Sequence, residues 1–459
     1  MTPISRYRGT VVKSVFALVN VPNSILNSFH QKSTMKKASI LILGLWLGIV
    51  IFTGGFHSTS GIAAEWYKGE LHCHSHWSDG NTLPELAIDW YRSKGFHFMS
   101  LTDHNVLQLD PNQWREVDPV LVEESRKKFG DDFVETKEEE GKTLVRLKTI
   151  HELRKLFNED GKFLLIPGHE QNTSVAGRTL HANAINISES IPFPNNFSGV
   201  AEAALNWRQA TLENASQNGN VGFWMLNHPE WPYFDVDPEV LIEASEIEFY
   251  EWNIAASAVH PPIHPDYPKH EKYWDIVNAF RLAQGKKPIY LVAADDTHNY
   301  RTFGHQTANP GRGWVGVRAE KLEANALFMA MKNGDFYSST GVEMKEIRFD
   351  TATGTLHVEV KPEEGVFYSI RFVGTKKGFD TSTRTFEDPQ VGNKPARTGK
   401  IYSNDIGVTL QTVAGTSASY QMSSDDLYVR AVMTSTKRPE FRGGNEPQTM
   451  TALTQPYTR

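Results

Sequence analysis

The chain has 459 residues, of which 39% are hydrophobic, 11% aromatic and 22% charged. That length supports about two or three domains, and that aromatic content excludes a mostly disordered chain. One cysteine, Cys73, excludes a disulfide framework, and a formal net charge of −7 leaves no global field to attract nucleic acid.

The amino end reads as an address. Residues 1–64 carry Arg6, Arg8, Lys13, Lys32, Lys36 and Lys37 and no acidic residue. Met35-Lys36-Lys37 precedes an apolar run from Ala38 to Phe52, and small residues follow at Gly54, Gly55 and Ser58 to Ala64. Basic, apolar, small is the order of a secretory signal, with Met35 as an alternative start and Ala63-Ala64 as the cleavage site. The apolar run is shorter than the roughly 20 residues of a spanning helix. The expected location is therefore exported, periplasmic or extracellular, with an uncleaved N-terminal membrane anchor as the alternative.

From Lys68 onward strand and helix signals alternate. Lys68 to Cys73 is short and extended. Thr82-Leu83-Pro84-Glu85 has the form of a capping box with proline in the first turn. Leu83, Leu86, Ala87, Trp90 and Tyr91 then share one helical face, and Gly95 stops the helix. Phe96 to Leu101 reads as the next strand, which completes a parallel β-α-β unit. Buried-strand runs recur at Phe163–Ile166, Val221–Leu226, Ile247–Tyr250 and Ile289–Ala293, and Leu322 to Met331 reads as a late helix. Repeated units of this kind indicate an α/β barrel or a doubly wound sheet. Asp110 to Asp160, rich in Glu and Lys, reads as a solvated helical insertion, with a lid as its functional alternative. From Val342 the pattern changes to period-two alternation, as at Leu356, Val358 and Val360, which indicates a small antiparallel β domain. His357 is the only histidine there, so no ligand-type cluster is expected in the tail; it packs on the barrel or adds a rim to the site.

The chemistry gathers at strand ends. His72-Cys73-His74 places two imidazoles on one side of an extended segment and the thiol on the other. Ser78-Asp79-Gly80 adds a carboxylate in a turn. Thr102-Asp103-His104-Asn105, Pro167-Gly168-His169-Glu170, Asn227-His228-Pro229 and Asp295-Asp296-Thr297-His298 each follow an apolar run, and His181 follows a loop. One such residue would be an ordinary cap. So many at successive strand ends mark the face on which barrel enzymes build active sites.

The set resembles the motifs of the PHP (polymerase and histidinol phosphatase) family of metal-dependent phosphoesterases. Glu70-Leu71-His72-Cys73-His74-Ser75 with Ser78-Asp79-Gly80 is similar to the first motif, and Thr102-Asp103-His104-Asn105 to the second. Gly168-His169-Glu170 with His181, then Asn227-His228-Pro229, then Asp296-Thr297-His298 resemble the later ones in order. The resemblance implies a distorted (β/α)7 barrel of PHP type over residues 65–340, with the charged insertion at 110–160, between an N-terminal extension (1–64) and the C-terminal β domain (341–459). It implies two or three divalent ions, Mn, Zn or Fe, held by His72, His74, Asp79, His104, Glu170, His181, His228, Asp296 and His298. Glu170 would bridge two ions. His72, His74 and Asp296 would share one of them, and His104 and His181 would bind a neighbour. Asp79, His228 and His298 would complete a third site or support the first two. The last motif departs from the usual Gly-Ser-Asp-x-His, and Asp295 stands where it could support a ligand.

Imidazoles with carboxylates suit these ions more than Mg or Ca. Clustered metals lower the pKa of a shared water from about 15.7 towards about 7, and the resulting bridging hydroxide is the nucleophile. The expected reaction is hydrolysis of a phosphomonoester or phosphodiester. The expected catalytic residues are Glu170, Asp79 and His228, with the leaving alcohol protonated by a water or by a nearby acid such as Asp79 or His228. Arg178, Arg301 and His305 are the candidate phosphate contacts, and the partner is a small phosphorylated substrate rather than a nucleic-acid scaffold. His260, His264 and His270 among prolines read as a loop rim. Trp77, Trp224 and Trp252 read as core or rim. Two other functions stay open: an amidohydrolase-type metal hydrolase acting on C–N or C–O bonds, and a non-enzymatic secreted metal- or carbohydrate-binding protein.

Overall fold

The computed structural model describes residues 64–459 apart from 176, 193–196, 230–235, 255–264, 389–395 and 441–448. The signal or anchor expected within residues 1–64 lies outside the described residues but for Ala64, as do His260 and His264. No helix among the described residues is long and apolar enough to cross a membrane.

Strand β1 (Glu65–Glu70) leads through the His72–Asp79 segment to helix α1 (Pro84–Ser93) and strand β2 (Phe98–Leu101), parallel to β1. The expected capping box does not form. Leu83 is the N-cap, extended at φ −66 and ψ 146, with no side-chain cap bond. A proline disfavours the helical region in the residue before it, so the helix begins at Pro84 itself.

The insertion is not the solvated helical segment expected. It holds a three-stranded antiparallel sheet of β3 (Trp114–Glu116), β4 (Thr136–Glu139) and β5 (Lys142–Arg146), with β5 central, besides α2 (Pro119–Phe129) and α3 (Ile150–Phe157). Glu140 and Gly141 both take positive φ, 52 and 75, between β4 and β5. A two-residue turn with φ > 0 at both positions matches strand twist, so the Glu-rich run closes a hairpin rather than a helix. Val117, Leu121, Val145 and Leu147 of this unit share a core with Trp77, Leu83 and Leu86.

The main sheet continues with β6 (Leu164–Val175), β7 (Arg178–Ile185), helix α4 (Val200–Gln217), β8 (Phe223–Leu226), helix α5 (Pro238–Glu243), β9 (Phe249–Asn253), helix α6 (His270–Ala283) and β10 (Tyr290–Ala294). Next come β11 (Trp314–Ala319), helix α7 (Ala324–Lys332) and β12 (Phe336–Ser339). The β2–β6, β8–β9 and β9–β10 pairs are parallel, but β6–β7, β7–β8 and β1–β11 are antiparallel. The sheet is therefore mixed rather than all-parallel. The reason is local: β6 and β7 are joined by a hairpin through Gly177 at φ 77, and a connection that short can only reverse the chain. No ladder among the described residues joins β10 to β1. Their continuations meet at an isolated bridge between Cys73 and Thr297, where His74 N donates to Thr297 O (2.9 Å) and Asp296 N to His72 O (2.8 Å). Beneath this meeting point Phe98, Ile166, Ile185, Phe223, Phe249 and Val292 fill one buried cluster.

The tail comprises β13 (Met344–Asp350), β14 (Thr355–Val360), β15 (Tyr368–Lys376), β16 (Thr383–Asp388), β17 (Arg397–Tyr402), β18 (Val408–Ala414), β19 (Ser417–Gln421), β20 (Asp426–Ser435) and β21 (Thr451–Thr454). Its pairings are antiparallel. Strands β13, β14 and β19 form a sheet of their own and β16 and β17 another, but β21 pairs with both β20 and β12 and so joins β20, β15 and β18 to the main sheet. The order β10-β9-β8-β7-β6-β2-β1-β11-β12-β21-β20-β15-β18 makes one 13-stranded sheet.

Candidate metal centre

Successive strand ends converge on one buried point. His72 and His74 follow β1, His104 follows β2, His228 follows β8, and Asp296 and His298 follow β10. Glu170 lies on β6 and His181 on β7, in neighbouring register: Glu170 faces Asn183, and His181 faces Asn172. Cys73 points away, its Sγ donating to Ser100 O at 3.3 Å. Two of these residues hold left-handed backbone, His228 at φ 27 and Asp296 at φ 54. Such conformations cost about 1–3 kcal/mol each and persist where surrounding contacts enforce them.

Glu170 is the hub. Its Oε1 lies 3.1 Å from His181 Nδ1, 3.4 Å from His72 Nε2 and 3.6 Å from His228 Nε2. Its Oε2 lies 2.7 Å from His104 Nδ1 and 3.6 Å from His74 Nε2. Asp296 Oδ1 lies 3.0 Å from His74 Nε2, 3.2 Å from His72 Nε2 and 3.5 Å from His298 Nδ1. Asp79 completes an open side, 3.4 Å from His298 Nε2, 3.7 Å from His104 Nε2 and 3.7 Å from His74 Nδ1. The Asp79 side chain is 57% exposed against 1% for Glu170, so the cluster has a buried floor and a wet rim. The structure thus brings all nine sequence-derived ligand candidates into one contiguous cluster.

The electrostatics sort these groups. Burial works against ionised Glu170, yet His104, His72 and His181 hold its pKa well below the usual carboxylate range. Asp296 is held low in the same way, by His72 and His298 against its burial. Burial, then His298 and His104 nearby, push His74 down to about 3. Burial, with His181 alongside, takes His228 to about 4. Both rings are therefore neutral at pH 7, the form that ligates a cation. For His298 burial is outweighed by Asp296 and Asp79, which raise it to about 9.

The donor set fits divalent cations. Three overlapping groups, His72–His74–Glu170, Glu170–His181–His228 and His74–Asp79–His104–His298, each keep their donor atoms within 4.8 Å of one another. Ligands about 2.0–2.1 Å from a tetrahedral ion lie about 3.3–3.4 Å apart, close to the spacings around Glu170. Glu170 Oε2 and His104 Nδ1 are buried and neither makes a hydrogen bond, despite their 2.7 Å approach. A buried polar atom in that state is costly, and a bound ion would satisfy it. Glu170 belongs to two of the groups, the position of a bridging carboxylate.

Several residues that hold the cluster escaped the sequence reading. Glu251 on β9 faces His72 Nδ1 at 2.8 Å and accepts from His228 N at 3.0 Å. Burial pushes its pKa up to about 7, against the pull of His72. Asn253 donates to Asp296 Oδ2 (3.1 Å), and Asn227 donates to Glu170 Oε1 (2.8 Å). Asp103 accepts from Ser75 N and Oγ and from Ser78 N and Oγ, at 2.7–3.1 Å, and so ties down the loop that carries Asp79. A carboxylate directly after the apolar Ile247–Tyr250 run was the available signal for Glu251. Asp295 supports no ligand side chain directly. It accepts from the Arg312 and Gly313 amides (2.8 and 2.6 Å) and from Tyr91 Oη (3.0 Å), anchoring the chain that enters β11.

The candidate substrate contacts lie elsewhere. Arg178 shares a face of β7 with buried Leu180 and Ala182, opposite to His181, and pairs with Asp237 at 2.7 Å. Arg301 pairs with Glu124 at 3.5 Å and lines a surface cavity of about 270 Å³ with Trp90, Lys128 and Tyr300. His305 is exposed on the loop after His298. Trp77, Trp224 and Trp252 are buried, and His270 opens α6. One expectation for the tail is corrected. Glu346, His357 and Glu359, brought together by the β13–β14 pairing, also form a ligand-type group. Arg348 and Lys345 already pair with its two carboxylates, at 3.4 and 2.8 Å.

No family model and no curated protein matches this chain. Among solved structures it is similar to a two-domain protein from Bacteroides vulgatus containing a predicted PHP-like metal-dependent phosphoesterase. That match has 15% identity over 86% of this chain and 95% of the other, with a TM-score of 0.35. It is also similar to a proposed metal-dependent phosphoesterase from Bifidobacterium adolescentis, at 12% identity over 53% and 92% with a TM-score of 0.27. An amidohydrolase from Chromobacterium violaceum, with bound sulfate and no metal, is similar at 13% identity over 52% and 90%, TM-score 0.27. All three are distant, and the function below rests on the cluster itself.

Proposed function

We propose that this chain is a metal-dependent phosphoesterase of PHP type, built on a distorted (β/α)7 barrel and acting after export. The observation that carries the reading is Glu170, a buried carboxylate ringed by five imidazoles from four segments of the chain, with Asp296 beside them. His72, His74, His104, Glu170, His181, His228 and Asp296 would hold two divalent cations, and Asp79 with His298 would complete a third site at the rim. Such ions, when bound, activate water and neutralise a phosphoryl group. The chain's own residues do the rest. Asn227 and Asn253 orient the two central carboxylates. Neutral His74 and His228 keep lone pairs inward. The buried floor excludes bulk water, while the exposed Asp79 carboxylate, held below the usual carboxylate range by His298, would accept a hydrogen bond from water at the rim.

The test is metal content by elemental mass spectrometry on protein beginning near Glu65, with turnover of p-nitrophenyl phosphate and bis-p-nitrophenyl phosphate. Two or three Mn, Zn or Fe per chain and chelator-sensitive turnover are expected, and the preferred ester separates mono- from diesterase. Metal with turnover of an amide panel but of neither ester would replace this reading by amide hydrolysis. No metal after supplementation would refute it.

A further inference from the structure

Strand β9 contributes no group to the cluster, yet it grips three residues that do. Glu251 Oε1 lies 2.8 Å from His72 Nδ1, and its Oε2 accepts from the His228 backbone amide at 3.0 Å. Asn253, two residues on and on the same face, donates to Glu251 Oε1 (3.2 Å) and to Asp296 Oδ2 (3.1 Å). Both side chains are buried, Glu251 completely. An ionised Glu251 accepts at both oxygens, and on a neutral His72 ring that contact places the hydrogen on Nδ1 and turns the Nε2 lone pair towards Glu170 and Asp296. The other two residues gripped, His228 and Asp296, are the two cluster members with left-handed backbone. One ligand-free strand therefore holds a ring, a backbone amide and a carboxylate on three other segments.

We infer that Glu251 and Asn253 are positioning residues of the metal centre, setting its affinity through His72, His228 and Asp296 without touching an ion. The inference rests on the reading that the cluster binds divalent cations. Metal-free wild-type protein, Glu251→Gln and Asn253→Ser would be titrated with Co²⁺ by calorimetry and visible absorption, and each metal-free melting temperature recorded. Glu251→Gln should keep the wild-type stoichiometry, bind about 10- to 100-fold more weakly and shift the Co²⁺ bands. Asn253→Ser, which leaves the Glu251–His72 contact in place, should bind about 10-fold more weakly and serves if the first variant does not fold. Wild-type affinity and spectrum in the variants would overturn the inference, and so would a lower metal-free melting temperature with unchanged affinity. A fall in stoichiometry would make Glu251 a ligand and overturn it as well. Wild-type protein that binds no Co²⁺ would refute the metal reading, a failure distinct from wild-type binding with unchanged variants.

Discussion

Two buried charge clusters in this molecule solve the same problem in opposite ways. Where α6 meets β20, Arg430 donates to Asp275 Oδ1 and Oδ2 (2.8 and 2.7 Å) and to Glu271 (2.8 Å), while Tyr428 donates to Asp275 (2.7 Å). The guanidinium also stacks over Trp274 at 4.9 Å. Its burial would depress its pKa, but Asp275 and Glu271 raise it. Cation and anions are both supplied by the chain, and of the guanidinium nitrogens Nη1 alone is left without a hydrogen-bond partner. Around Glu170 the described residues supply carboxylates and imidazoles and no Lys or Arg. Burying a charge without a partner is expensive. The first cluster is a fastening that closes on itself, and the second is a seat that needs an outside cation.

The largest effect should come from emptying the seat. Glu170→Gln removes a donor shared by two ligand groups and should lower metal affinity by more than about 100-fold, with turnover falling in parallel. Elemental analysis and ester hydrolysis on one preparation would check it; undiminished turnover would break the comparison. The fastening should respond without chemistry. Arg430→Met leaves Asp275 buried and uncompensated and should cost about 3–5 kcal/mol by urea unfolding, with metal content unchanged. Loss of metal in that variant would mean that the two regions are not separate.

A group beside the hub sharpens the contrast through pH. Burial takes His169 down to about 4, and its Nε2 accepts from Ile191 N at 3.4 Å. A histidine whose folded pKa is depressed favours the folded state above its unfolded pKa, near 6.5. That contribution, about 3 kcal/mol, is lost as pH falls from about 6.5 through about 4. Urea unfolding at pH 7 and pH 4.5 should show this loss in wild-type protein and less of it in His169→Gln, which cannot titrate there. The smallest effect belongs to the rim. Asp79→Asn touches a half-exposed carboxylate and should weaken one ion by about 10-fold while the other ions stay bound. Equal loss of all ions would show that rim and floor form one cooperative site.

The sequence by itself determined the parts that depend on neighbours along the chain. An apolar run followed at once by His, Asp or Glu marks a strand end, and the order of those ends is the order of the motifs, so His72, His74, His104, Glu170, His228, Asp296 and His298 could be named without coordinates. The α/β character and the antiparallel tail were legible for the same reason, since period and punctuation are local. Tertiary structure alone decided what depends on partners far along the chain. The charge run at 138–140 turned out to be a hairpin because Glu140 and Gly141 take positive φ between two pairing strands. Arg178 is near His181 in sequence yet sits on the opposite face of β7, and strand β21 stitches the tail into the main sheet. Glu251 reads as one more polar residue after an apolar run until folding places it 2.8 Å from a ring that lies 179 positions away. Hydrogen bonds are short-ranged and directional, so the spacing of residues along a chain cannot encode which distant partner will complete them.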